Sequence, residues 1–332
     1  MTRHAQTMEA IELGSGWLQV KVPLPMTLRW VNSYLIPYAG SYTLVDPGLH
    51  TEQAEREWEA LLARHGIGYG AIRQIVLTHQ HPDHYGLAGW FQQRCGAPVR
   101  MSRRAHRYAR RLWRSDSGFA AELRALFGLH GMPEEELAAI ERHLASFLPL
   151  VEPQPQVTYV EAGEELLIGG LLWQAIDTPG HADGHLCLYE PQGRRMLCGD
   201  QVLPQITPNI SLVPGEPDDP LQAFLASLER LLQYPVAMAF PGHRDPFPDF
   251  ATRILELQAH HRRRLDRLAQ WLTTPATGYA LCMRLFGERA TDSAHNLRFA
   301  MAETLAHLQR LVYDGRAVLR RGDDGVLRYV GV

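Results

Sequence analysis

The sequence predicts a layered α/β domain with a helical insert, followed by a small winged-helix-like module. Three observations carry this. Strand-like and helix-like runs alternate up to about residue 96 and again from about 157 to 243, the pattern of layered α/β domains. Residues 100–150 break the alternation with helical periodicity. From residue 251 onward three helical stretches end in a hairpin. The expected division is a larger domain over 1–250 and a module over 251–332.

Residues 17 to 46 read as strands. "WLQVKV" alternates, and "NSYLIPYAGSYTLVD" is two strands turning at Ala39-Gly40. "TEQAEREWEALLARH" has helical spacing (Ala54, Trp58, Leu61, Leu62) with Thr51 as its cap. "IRQIVLTH" is a strand, and "HYGLAGWFQQRCG" is a helix ending near Gly96. In the insert, arginine falls at 103, 107, 110 and 114, with Met101, Ala105, Tyr108 and Leu112 about 200° round the helix. A solvated face is the ordinary reading of such a stripe; a grip on an anionic substrate is the functional one. A second insert helix follows from Pro133. Strands resume with "QVTYV", "LLIGGLLWQAIDTPG", "HLCLYE" and "RRMLCGD"; "LQAFLASLERLLQY" is a helix and "VAMAFPGH" a strand. "ATRILELQAHHRRRLDRLAQWL", "ATGYALCMRLFG" and "AHNLRFAMAETLAHLQRLVYDG" are the three C-terminal helices. "AVLRRGDDGVLRYV" is the closing hairpin, turning near Gly322 to Gly325.

The 332 residues carry a net charge of −3, which argues against a chain-wide nucleic-acid-binding surface. No apolar run approaches the roughly 20 residues of a membrane helix, and the N-terminus has no apolar signal core. Cys95, Cys187, Cys198 and Cys282 are widely spaced without a CxxC pair, as expected of a reduced, cytoplasmic protein.

The chemistry gathers where strands end. Asp46 ends "TLVD", His79 and His81 end "QIVLTHQH", His181 follows "AIDTPG", Asp200 ends "RMLCGD" and His243 ends "AMAFPGH". Ligands of α/β sheets collect beyond such ends. Three of these residues follow glycine, which lets the backbone turn sharply. His79 and His81, two apart in an extended segment, point to one side; Asp83 and His84, past Pro82, can face a second point nearby. Imidazole and carboxylate suit zinc, iron or manganese. Each ion needs about four ligands, so these groups, a shared carboxylate and a bridging water suffice for two.

"HQHPDH" is an instance of H-x-H-x-D-H, followed in order by "PGH" at 181, "GD" at 200 and "PGH" at 243. Over residues 12 to 250 the chain resembles the metallo-β-lactamase superfamily. The resemblance implies a four-layer αββα sandwich and two divalent ions, zinc first, with iron or manganese as alternatives. His79, His81 and His181 would hold the first; Asp83, His84 and His243 the second; Asp200 would bridge them. Asp46 would support the ligands from behind. The full His/Asp set resembles the hydrolase branches: glyoxalase II, lactonases and endoribonuclease-like proteins. The C-terminal module resembles the winged-helix extension of a lactamase-like endoribonuclease.

The expected activity is hydrolysis of an ester, thioester or lactone of a small, anionic acyl substrate. A hydroxide bridging the ions attacks, and Asp83 orients the nucleophile or passes its proton to the leaving group. The stripe Arg103, Arg107, Arg110 and Arg114 would hold the anionic part. The alternative is cleavage of single-stranded RNA, suggested by the winged-helix-like module and the "HHRRR" run, His260 to Arg264. The module otherwise caps the core or mediates homodimer formation. Of the 16 histidines, eleven are left as surface or structural residues. His185 is expected to hydrogen-bond near the site rather than ligate.

Overall fold

The computed structural model describes residues 7–26, 28–290 and 292–332. Its first sheet has seven strands in chain order: β1 (Glu9–Leu13), β2 (Trp17–Pro23), β3 (Trp30–Tyr38), β4 (Ser41–Val45), β5 (Ile72–Val76), β6 (Val99–Met101) and β7 (Val157–Tyr159). Pairing is antiparallel from β1 to β4 and parallel from β4 to β7. The parallel steps need crossovers, which α1 (Glu52–Arg64) and the pair α2 (Pro82–Tyr85) and α3 (Ala88–Cys95) provide. Thr51 caps α1, its side chain accepting from Ala54 N at 3.0 Å. Gly96 ends α3 in the left-handed conformation.

The helix read over "HYGLAGWFQQRCG" is two helices. The Leu87 N–H, which a continuous helix would direct to Asp83, donates instead to Gly48 O at 2.8 Å. Between β6 and β7 the insert forms three helices: α4 (Arg103–Leu112), α5 (Phe119–Leu129) and α6 (Glu134–Ala145). Ser102 caps α4. The arginine stripe outlasts its helix, because Trp113 leaves the helical path; buried, it donates its indole N–H to Gln80 O at 3.0 Å.

The second sheet runs β12-β11-β10-β9-β8, from β8 (Glu165–Ile168), β9 (Leu171–Asp177), β10 (Leu186–Glu190), β11 (Arg195–Gly199) and β12 (Met238–Pro241). It is antiparallel except for β11 with β12, which α7 (Pro220–Leu231) connects. After it come α8 (Phe250–Trp271), β13 (Ala276–Thr277), α9 (Gly278–Phe286), α10 (Ala294–Tyr313) and the hairpin β14 (Ala317–Arg321) and β15 (Leu327–Gly331). The two-residue β13, unforeseen, pairs with β15 to make a three-stranded sheet.

Three apolar cores show the layering. One lies between the first sheet and α1/α3, joining Val20, Leu44 and Ile75 to Trp58, Leu61 and Phe91. The second lies between the sheets, joining Trp17, Tyr34 and Val76 to Trp173, Leu188 and Phe240. The third lies outside the second sheet, joining Cys187, Met196 and Ala239 to Leu221, Phe224 and Ile254, and continues to Leu305 and Leu308 of α10. The result is the expected four-layer αββα sandwich, each sheet burying both faces and each helix layer one.

Candidate metal centre

Residues just past the carboxyl ends of β4 and β5 in one sheet, and of β9, β11 and β12 in the other, come together. His79 Nε2 lies 3.0 Å from His81 Nδ1, and the His181 ring centre lies 5.0 Å from that of His79 and 4.6 Å from that of His81. On the other side His243 Nε2 is 3.3 Å from Asp83 Oδ2, and His84 Nε2 is 3.8 Å from the same oxygen. Asp200 lies between the two groups. Its carboxylate is 3.4 Å from His84 Nε2, 3.7 Å from His181 Nε2 and 3.3 Å from His243 Nε2. In the sets His79/His81/His181, His79/His84/Asp200 and Asp83/His84/His243, the donor atoms lie within 4.8 Å of one another.

The rings are held from behind through their outward nitrogens. His84 Nδ1–H donates to Asp46 Oδ2 at 3.0 Å, His181 Nδ1–H to Asn209 O at 2.9 Å and His243 Nδ1–H to Trp30 O at 2.9 Å. Asp46 also accepts from the Thr78 N–H at 2.8 Å and the Thr78 hydroxyl at 2.7 Å. That hydroxyl sits 2.9 Å from His79 Nδ1 and accepts its proton. Each of these bonds fixes the tautomer that turns an Nε2 lone pair inward. His84 Nε2, His181 Nε2 and Asp200 Oδ1 are buried without a hydrogen-bond partner. Buried polar atoms are rarely left so. Orphaned inward nitrogens beside orphaned carboxylate oxygens are the donor set a divalent cation needs, so these residues fit a metal.

Electrostatics agree with that fit. Burial drives His79 well below its ordinary value, His81 to about 3 and His181 downward, so all three stay neutral. For His84 and His243 burial opposes charging, but Asp200 and neighbouring carboxylates outweigh it, and His243 rises to about 10. Burial would also raise Asp83 and Asp200, yet the His84 and His243 rings hold both below the usual carboxylate range. Without a cation, two imidazoles hold protons where positive charge is wanted.

The glycines before these residues act in two ways. Gly180 (φ +132°) and Gly199 (φ +46°) adopt conformations that L side chains avoid. Gly242 does not turn that way. A Cβ there would overlap Asp200 Oδ1 and reach 2.6 Å from His84 Cε1, so the constraint is space.

A sequence profile described as the Metallo-beta-lactamase superfamily matches residues 27–243. The chain belongs to the metallo-beta-lactamase superfamily. A second profile, the metallo-beta-lactamase-like C-terminal domain, matches residues 265–332. A metallo-beta-lactamase family protein from Thermus thermophilus is 36% identical, with TM-score 0.83, over 96% of this chain and 99% of that one. A beta-lactamase domain protein from Burkholderia ambifaria is 30% identical, with TM-score 0.86, over 98% and 94%. Among curated proteins, the probable metallo-hydrolase YqjP of Bacillus subtilis is 27% identical over 89% of this chain and 91% of its own. The atrochrysone carboxyl ACP thioesterase of Claviceps purpurea is 22% identical over 83% and 73%.

Several other sequence expectations have a place in this superfamily member. His185 is fully buried and accepts from the Asp200 N–H at 3.2 Å, while its Nδ1–H bonds Thr178 Oγ1 at 2.8 Å. It fastens the Asp200 backbone. Tyr85, next to the motif, is fully buried and packs in the core beneath the first sheet. Arg103, Arg107, Arg110 and Arg114 line one open pocket of about 510 Å³ with Arg111 and Tyr159. Three of them are engaged by acids: Arg103 by Glu161 at 3.2 Å, Arg114 by Asp116 at 2.7 Å, and Arg107 by Asp183 at 3.8 Å. In the "HHRRR" run His261 is buried 3.0 Å from His307 Nε2, and Arg264 turns in to Glu303. That run is therefore not one continuous basic surface. No helix among the described residues is long and apolar enough to cross a membrane. Sequence reasoning missed Asn209, which steers His181 through a backbone carbonyl that any residue carries.

Proposed function

We propose that the chain is a dinuclear metal-dependent hydrolase that cleaves an ester, thioester or lactone of a small anionic acyl substrate. The observation that carries this is the set of inward nitrogens and carboxylate oxygens, with His79, His84, His181 and His243 held from behind in the ligating tautomer. His79, His81 and His181 would hold one ion, Asp83, His84 and His243 the other, with Asp200 shared. Bound divalent ions, zinc first and iron or manganese as alternatives, supply a Lewis acid and lower the pKa of water. Asp83 is the more solvent-reachable of the two carboxylates in the cluster, with 16% side-chain exposure against 8% for Asp200. Its Oδ2 is the atom suited to take a proton and return it to the leaving group.

The thioesterase name borne by the Claviceps purpurea relative supports ranking thioesters with esters and lactones. The arginine-lined pocket supports an anionic tail on the substrate, with Arg110 in no ion pair among the described residues and Arg107 only loosely engaged. The helix–strand–helix–helix–hairpin order of the C-terminal domain supports reading it as a winged-helix-like module. α10 packs on the core outside the second sheet, which favours a capping role over RNA contact.

The test is hydrolysis by zinc-loaded protein of acyl thioesters, lactones, phosphodiesters and single-stranded RNA, with His81→Ala as the blank. Carbonyl turnover lost together with metal content in the blank is the expected result. RNA cleavage alone, or an active metal-free variant, refutes the proposal.

A further inference from the structure

Two arginines near the cluster, Arg244 next to His243 and Arg298, have a buried Nε without a hydrogen-bond partner and no ion pair among the described residues; Arg298 is the one beside a pair of imidazoles. Arg298, on the first turns of α10, is partly buried with its Nε fully enclosed and unpartnered. Its guanidinium lies 4.1 Å from the Phe299 ring centre. Among the described residues no carboxylate is paired with it. Burial lowers its pKa to about 10, and the neighbouring titratable group acting on it is the Tyr108 phenol of α4. Two imidazoles complete the group. His143 of α6 lies 3.2 Å, Nε2 to Nδ1, from His295 of α10. Burial and the charge of Arg298 hold both near 4, so neither competes with the arginine for an anion as a base or carries charge of its own.

This group adjoins the metal centre. Asn209, whose carbonyl holds His181, donates its Nδ2–H to Phe299 O at 3.2 Å. Two hydrogen bonds thus join a cluster imidazole to the residue next to Arg298. The Asp83 carboxylate also acts on His295. An arginine with no counterion, kept half out of water, is costly unless something negative arrives. Arg264 pairs with Glu303 and Arg310 with Asp219, whereas Arg100 and Arg244, like Arg298, have no ion pair among the described residues.

We infer that Arg298, flanked by His143 and His295, binds an anionic group of the substrate beside the metal-ligand cluster. The ligand chemistry is a carboxylate or phosphate oxyanion, which a guanidinium engages with two N–H donors. The helical insert and the C-terminal domain together would then build the specificity pocket. The inference rests on the hydrolase reading for what the anion is attached to.

The experiment separates the two readings by measuring binding apart from turnover. The full chain, zinc-loaded, is titrated calorimetrically with thioethers, which cannot be hydrolysed: S-butyl-N-acetylcysteamine, S-(3-carboxypropyl)-N-acetylcysteamine and S-butyl-phosphopantetheine. An acyl-side anion makes the carboxylated ligand bind about 10- to 100-fold more tightly than the neutral one, as expected for charge-assisted bonds. A leaving-group anion gives that preference to the phosphate-bearing ligand. Arg298→Gln abolishes the preference and leaves neutral binding unchanged, whereas Arg298→Lys retains part of it. Equal binding of all three, or a preference that survives Arg298→Gln, overturns the inference. A Tm loss in both variants also overturns it, because the arginine is then structural. Preference without turnover of any matching thioester, ester or lactone retires the hydrolase reading and leaves the anion site standing.

Discussion

Replacing Asp46 with asparagine changes one oxygen to NH2 and keeps the shape. Asp46 has φ +49°, a left-handed conformation that asparagine tolerates as aspartate does, so the backbone should stay put. The hydrogen bonds cannot. Oδ2 accepts from the Thr78 hydroxyl at 2.7 Å and from His84 Nδ1–H at 3.0 Å; Oδ1 accepts from Thr78 N at 2.8 Å. With the amide NH2 toward His84, two donors face each other, and relief requires His84 to move its proton to Nε2. That nitrogen is the one facing Asp200 and Asp83. With the NH2 turned the other way it meets the buried Thr78 N–H. Either orientation sacrifices one bond to a charged acceptor, about 1.5–3 kcal/mol of stability. Loss of the ligating tautomer weakens metal binding about 10- to 100-fold, as such supporting groups do elsewhere. Competition for zinc against a chromogenic chelator should show one of two ions lost first, the one His84 would hold. Two ions held at wild-type affinity would refute the reasoning.

The Gly242→Ala variant places a methyl against Asp200 and His84; it should fold with a loss of about 1–3 kcal/mol and bind less than two equivalents of zinc by elemental analysis. Glu216 makes a pH prediction. Burial, with a contribution from Asp183, raises it to about 8, well above its unfolded value near 4.3. A raised folded pKa means stability is fullest at low pH and falls as pH climbs through that window. Glu216→Gln should therefore gain about 2 kcal/mol relative to wild type between about pH 5 and pH 8, after allowing for solvent screening. Urea melts at both pH values test this, and parallel curves would sink it. The pair Arg107→Gln and Arg110→Gln should raise KM for coenzyme A thioesters several-fold with kcat unchanged, as expected if the pocket they line holds a remote tail. Equal effects on neutral esters would show the arginines to be surface residues.

The fold and the residues gathered at the centre were legible because their signals are local. Period-2 and period-3.6 apolar patterns marked nearly every strand and helix. "HQHPDH" concentrates four polar groups in one turn, and "PGH", "CGD" and "PGH" put the remaining ligand candidates after strand-ending glycines. The small failures were also local. The break between α2 and α3 depends on Gly48 O capturing the Leu87 N–H, and the early end of α4 on Trp113 reaching Gln80 O. Both acceptors are distant backbone atoms that no periodicity encodes.

The sequence by itself determined the layered α/β architecture, the order of its elements and the residues that meet at the centre, because those depend on spacing within single segments. Only the tertiary structure decided how the centre is held and which residues far apart in the chain meet around it. His143 and His295 are 152 positions apart, and Asn209 and Glu303 are 94 apart. Arg298 looks like any helix-surface arginine until folding encloses its Nε and leaves it without a counterion among the described residues. Burial and the absence of a partner are properties of three-dimensional packing, so a chain read in one dimension carries no trace of them.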